Sequence, residues 1–259
     1  MSLTATDLAR VAAADASHER FVHLQRMGHV ELRALLSGDP RAAIDWIASA
    51  AEHGLPAAQL RLGRMLLEGR GIARDVAGAL AWFMRAADQL DAEAMNMVGR
   101  CHENGWGTTC NLGVAAHWYA RSARRGHDWG QYNFGHVLLD GRGVDRDEVR
   151  ALAWYVRAAL QGHSRAMNLT GRCHEEGWGC ARDLHAALEW YRRSALAGCF
   201  RGQYNYAALL AEQGLSELAA EWFRRAAEGG TPAIRARIAA LWTTDGRPGP
   251  RIRGLRHIV

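Results

Sequence analysis

Between Ala57 and Leu67, small and apolar side chains stand at Ala58, Leu62, Met65 and Leu66. This i, i+4, i+7, i+8 spacing predicts an amphipathic helix with one buried stripe. Gly69-Arg70-Gly71 ends it, because glycine accepts the left-handed conformation that a helix stop needs. Ile72 then turns an apolar side chain inward, and Asp75 opens a second helix as its cap or first-turn acid. Ala79, Trp82, Phe83, Ala86 and Ala87 form the buried stripe of that second helix. Gly63 lies inside the first helix, where glycine costs about 1 kcal/mol relative to alanine. Its return at Gly99, Gly135 and Gly171 therefore predicts a close backbone approach by the paired helix.

The pattern repeats. Trp46, Trp82, Trp118, Trp154 and Trp190 are spaced by 36 residues, and Trp222 follows after 32. Glycine pairs keep the same beat at Gly69/Gly71, Gly105/Gly107, Gly141/Gly143 and Gly177/Gly179. Two interleaved series with one period mark an array of helix pairs.

The run from Leu62 to Ile72, with Ala79 to Ala87 after it, resembles the Sel-1-like repeat, a tetratricopeptide-related family with the pattern LG-x-x-Y-x-x-G-x-G-V and then A-x-x-W-[YF]-x-x-A-A. The match recurs through Gly229, about three quarters of the chain. The resemblance implies an all-α fold, a right-handed α–α superhelical solenoid of antiparallel helix pairs. It also implies scaffold or adaptor roles, in bacteria in signalling, stress or envelope-related pathways. It does not imply an activity, and the sequence lacks a nucleophile–base pair at useful spacing, a phosphate loop and clustered metal ligands, so no enzyme is expected. The sequence departs from the pattern in two places. Leu66, His102, Leu138, His174 and Leu210 stand at the Tyr position, and Glu212-Gln213-Gly214 runs into the last helix without the G-x-G-V segment. Residues 1–38 read as an N-terminal helical cap, 39–230 as the repeats, and 231–259 as a C-terminal capping helix followed by a flexible basic tail.

A second period lies inside the first. Ala94–Gly107 returns 72 residues later as Ala166–Gly179 with 11 of 14 positions identical, and Gly130-Gln131-Tyr132-Asn133 returns at Gly202–Asn205. A recent duplication and a binding surface with a two-repeat rhythm both produce this.

Wheel arithmetic at about 100° per residue sets the Leu60, Arg64 and Leu67 positions opposite the core stripe. In related helix-pair solenoids the first helices line the concave face, so these rows supply the candidate groove. Its candidate partner-binding residues are Arg64, Asn96, Arg100, Glu103, Tyr132, His136, Asn168, Arg172, Glu175 and Tyr204. Asn and Arg bond peptide backbone and carboxylates, and Tyr gives rigid contact area. Trp106 and Trp178, in the middle of the glycine turns, read either as exposed anchors or as rings stacked on an Arg of the neighbouring repeat.

Composition narrows the partner. The chain has 259 residues, 49% of them hydrophobic, which is enough for one large domain or one extended array. All 32 basic residues are arginine, and the net charge of +5 owes much to the tail. A dense basic face is missing and Glu103 and Glu175 sit in the candidate groove, so an RNA-binding repeat is the weaker alternative. The longest apolar run near the N-terminus, Val11–Ala14, is too short for a signal core or a membrane span. The expected protein is a cytoplasmic monomer with reduced cysteines, no cofactor and no bound metal, and its partner is a protein or peptide.

The repeated Arg-Cys-His-Glu suggests a metal- or redox-linked protein instead. Cys101 and His102 are adjacent on a helix and point about 100° apart. Cys101 and Cys173 lie two repeats apart, on the order of 20 Å if first helices are spaced at about 8–10 Å. Cys101 and Cys173 therefore read as core thiols and His102 and His174 as half-buried structural histidines, while a Cys173–Cys180 disulfide stays open.

Overall fold

The computed structural model describes residues 5–27 and 40–240. Among the described residues there are thirteen α-helices and no strand. The fold is the all-α solenoid of antiparallel helix pairs that the periodicity predicts. It divides into two compact units, Met1–Arg125 and Gly126–Val259.

Unit 1 holds α1 (Ala5–Arg26), α2 (Pro40–Glu52), α3 (Pro56–Glu68), α4 (Val76–Asp88), α5 (Ala92–Asn104) and α6 (Leu112–Arg124). Here α3/α4 and α5/α6 are the repeat pairs. Helix α1 packs on α2 through Phe21 stacked on His53 at 4.4 Å and Ser17 donating to Glu52 at 2.6 Å. Unit 2 holds α7 (Asp128–Asp140), α8 (Glu148–Leu160), α9 (Ser164–Glu176), α10 (Leu184–Leu196), α11 (Phe200–Glu212), α12 (Ser216–Gly229) and α13 (Pro232–Ala239). Helix α13 packs on α12, with Ile234 and Ile238 in the core. Residues 28–38 of the expected cap and the tail after Thr244 lie outside the described residues.

Each boundary has a local cause. Gly69, Gly105, Gly141 and Gly177 close the first helices at φ between 68° and 78°, the left-handed stop expected of them. Asp75, Asn111, Asp147 and Asp183 cap the second helices by accepting a bond from a backbone N–H in the first turn. Asp91 caps α5 in the same way, but His127 and His163 cap α7 and α9 through Nδ1.

The first-helix glycines make room for an aromatic ring. A Cβ on Gly63, Gly99, Gly135 or Gly171 would sit 2.5–2.7 Å from the ring of Phe83, Tyr119, Tyr155 or Tyr191. These four rings are completely buried. The expected backbone approach is thus corrected: an aromatic side chain of the paired helix, not its backbone, makes the closest contact. The fifth pair uses Ala207 opposite Phe223.

The 72-residue rhythm also runs through the packing. Gln89 donates to Gln59 at 2.9 Å and Gln161 to Gln131 at 2.8 Å. In the alternate repeats Ser122 donates to the Ala92 carbonyl and Ser194 to the Ser164 carbonyl, at 2.6 and 2.7 Å.

Candidate functional site

Each unit carries a cleft along its first helices. In unit 1 the cleft is about 310 Å³ and is lined by Arg64, Leu67 and Glu68 of α3, Met97 and Arg100 of α5, and Arg74 and Trp106 in the turns. The unit 2 cleft is about 630 Å³. His136, Leu139 and Asp140 of α7 and Leu169 and Arg172 of α9 line it at positions 72 residues beyond their counterparts, and so does Trp178. Tyr132, Arg142, Arg165, Asn168, Cys199 and Arg201 complete it. The two-repeat module thus builds the same cleft twice.

One wall is an arginine stacked on a tryptophan. The Arg100 guanidinium lies 5.2 Å from the Trp106 ring centroid, and Arg172 lies 4.8 Å from Trp178. The arginine comes from the helix that leads into the turn, so of the two readings a stack is found, but within one repeat and not with an arginine of the neighbour. Sequence reading missed a second such series. Arg85, Arg121, Arg157, Arg193 and Arg225 each lie 4.3–4.9 Å over the tryptophan three residues before them. Spacing of i, i+3 on a helix was the available signal.

The candidate groove residues divide by row. Arg64, Arg100, His136 and Arg172 line the clefts with accessible side chains. Arg64 forms an ion pair with Glu93. Tyr132 is half-buried and stacks on His163 at 4.8 Å and on the edge of His136 at 4.6 Å. Its phenol pKa is raised by burial, with Arg165 and Arg201 pulling the other way.

Four other candidates are buried, although one of them, Asn168, still borders the unit 2 cleft. Tyr204 is 0% exposed and meets Phe223 edge-on, so it is a core side chain. Asn96 is buried, and so is Asn168, whose Oδ1 accepts a 2.9 Å bond from Asn205. That bond joins α9 to α11. A first helix packs on its own partner and also on the next first helix, and a wheel drawn for one pair omits the second contact. Glu175 is buried and accepts from Tyr191 at 2.7 Å, while the half-buried Glu103 accepts from Tyr119 at 2.5 Å. Both glutamates are tied to the second helix. Burial, and Glu175 after it, hold the Tyr191 pKa well above its ordinary value, so the phenol stays a donor.

The Cys-His-Glu motif resolves into packing. Cys101 and Cys173 are buried in the core, and burial pushes their thiols up to about 11 and about 12. Neither supplies a thiolate at neutral pH. Burial lowers the pKa of His102. Cys180 is not bonded to Cys173; its thiol meets the Cys173 carbonyl at 3.7 Å and His174 Nδ1 at 3.5 Å. Burial raises the Cys180 pKa, the wrong direction for an activated nucleophile. Among the described residues no three His, Cys, Asp or Glu side chains gather as metal ligands, and no helix is long and apolar enough to cross a membrane.

Comparison with the curated proteins finds no match. Among solved structures, the fold is similar to a protective antigen of uropathogenic Escherichia coli with an SLR fold, at 27% identity and a TM-score of 0.72. That match covers 94% of this chain and 53% of the antigen, so the chain spans about half the antigen's length. A Sel1 repeat protein from Oxalobacter formigenes is 29% identical with a TM-score of 0.67, covering 73% of this chain and 77% of that one. An immunity protein of Pseudomonas aeruginosa, 16% identical with a TM-score of 0.52 over 75% of each chain, shares the fold alone. The family model of the Sel1 repeat matches residues 26–55, 56–89, 92–127, 130–163, 164–199 and 201–231, and the chain belongs to the Sel1 repeat family.

Proposed function

We propose that this chain is a non-catalytic adaptor that holds a segment of a partner protein in the clefts along its first helices. Sel1 repeat arrays are in general scaffolds for protein–protein contacts. The observation that carries the reading is the repeated cleft. The Leu67/Leu139, Met97/Leu169, Arg100/Arg172 and Trp106/Trp178 positions recur as one constellation in both units. Apolar floor and guanidinium wall are the ingredients of peptide recognition: the floor buries side chains, and the fork fixes polar groups. The concave face of the solenoid is the proposed site, and bacterial signalling, stress or envelope pathways are its proposed setting.

The test is selection from a random displayed-peptide library on the purified chain, repeated with Arg100→Ala/Arg172→Ala. Peptides that bind the wild-type chain at micromolar Kd and are lost by the double variant support the reading. A library that yields no binder, or binders that the double variant retains, removes these clefts from the account.

A further inference from the structure

We infer that the unit 2 cleft is a carboxylate-binding site and that the segment it takes is an acidic peptide, an inference that rests on the adaptor reading above. Arg165, Arg172 and Arg201 all face this cleft, and among the described residues none of the three is paired with a carboxylate. The single acid in the lining, Asp140, lies 3.2 Å from a fourth arginine, Arg142.

Two buried polar groups at the cleft lack partners, and both can donate. Arg172 Nε is buried with no acceptor. The Tyr155 hydroxyl is buried with none either, and its ring lies 6.3 Å from Tyr132 and 5.6 Å from His136, both of which line the cleft. A buried donor left unsatisfied is destabilising until an acceptor reaches it. The other repeats show what is missing at Tyr155. Tyr119 and Tyr191 donate to Glu103 and Glu175, and Phe83, with no hydroxyl, faces the repeat that has Leu67 there. Tyr155 keeps the hydroxyl where the glutamate position is Leu139. A ligand carboxylate seated beside Leu139 would stand where the chain's own glutamates stand in the other two repeats.

An ionised carboxylate accepts hydrogen bonds and donates none, and it fits a guanidinium fork with two parallel bonds. Three guanidinium groups without a carboxylate partner, one of them with its buried Nε unsatisfied, and one orphaned phenol match it. Nucleic acid is a poorer match. Its bases need open aromatic faces, and the tryptophan that lines this cleft, Trp178, already stacks on Arg172. Leu139 and Leu169 beside the arginines, in a space of about 630 Å³, leave room for the side chains between the acids of a peptide.

The experiment uses the full chain and a fluorescein-labelled decapeptide of alternating Glu and Ala, read by fluorescence polarisation. The Glu peptide is expected to bind about tenfold or more tighter than its Gln counterpart and to weaken as salt rises. Arg165→Ala/Arg201→Ala is expected to lose about tenfold or more. Arg165→Glu, at an exposed side chain, gives the same readout if the double variant is unstable. Tyr155→Phe is expected to weaken binding severalfold with an unchanged circular dichroism spectrum. Equal binding of the Gln peptide overturns the inference, as does full binding by the arginine variants. It also falls if millimolar inorganic phosphate displaces the peptide completely, which would make this a small-anion site, or if oligouridylate binds more tightly than the Glu peptide. Wild-type binding by Tyr155→Phe overturns the role of the phenol. The adaptor reading fails separately: a library yielding neutral peptides that depend on Arg172 sustains it while sinking the acidic specificity.

Discussion

At the residue scale, the repeats make each exception visible. The turn that leads from a second helix to the next first helix carries a glycine at positive φ at Gly54, Gly126, Gly162 and Gly198. The remaining member of the series is Leu90, at φ 69° and 51% exposed. A non-glycine side chain in this region costs on the order of 1–2 kcal/mol, and the exposed leucine gains little from burial. Leu90→Gly removes the strain and adds some freedom to the unfolded chain, which offsets part of the gain. The variant is expected to be about 0.5–1 kcal/mol more stable in urea denaturation, and a loss of stability would contradict the strain argument. The glycine rhythm made this position legible. The orphaned Tyr155 hydroxyl was not legible, because it depends on a partner residue sixteen positions earlier being Leu139 and not glutamate.

At the scale of the element, α9 carries Asn168 and Arg172 of the unit 2 cleft and is capped by a titratable group. His163 Nδ1 accepts the Ala166 N–H at 3.1 Å, which requires a neutral ring with its proton on Nε2. The ring is buried between Trp129, edge-on at 4.5 Å, and Tyr132. Burial lowers its pKa below the ordinary 6.5; Asp128 opposes this, and Arg165 adds to it. The unfolded chain therefore binds a proton that the folded chain resists. The stabilising effect of the neutral cap is complete above pH 6.5 and is lost as pH falls below it. Asp183 and Glu189, whose pKa values are lowered by hydrogen bonds, lose their contributions only below about pH 4.5 and so do not share the window. His163→Asn keeps a capping acceptor without a titratable ring. The fall in unfolding free energy between pH 7.5 and 5.5 is expected to be smaller in this variant, and an equal fall would dismiss the cap as its source. Asp and Asn caps were readable from the chain. Histidine caps were not, since histidine is also a core, surface or ligand residue and only the Nδ1 geometry distinguishes them.

At the scale of the whole molecule, the duplicated module kept one cleft frame and changed its charge. The frame was readable as a 72-residue echo. The charge difference was not, because it depends on which arginines find partners. In unit 1, Arg64 is held by Glu93; the corresponding positions in unit 2 are His136 and Arg165. The smaller cleft pairs one of its three arginines, Arg64, with Glu93, while Arg165, Arg172 and Arg201 of the larger one have no carboxylate partner among the described residues. Position 93 is therefore one source of the divergence. Glu93→Arg releases Arg64 and adds a second cation beside the Arg100–Trp106 wall. Glu93 is partly exposed in the first turn of α5, where losing an acid costs about 0.3–1 kcal/mol, too little to unfold the unit. If both clefts are versions of one site, the variant acquires a second place for the acidic peptide. Isothermal titration with the Glu peptide should then give a stoichiometry near two, against one for the wild-type chain. Arg165→Glu in the same variant should bring it back to one. A stoichiometry of one in Glu93→Arg would mean that the repeated constellation is packing without recognition in unit 1, leaving the unit 2 cleft as a product of its own arginines and not of the module.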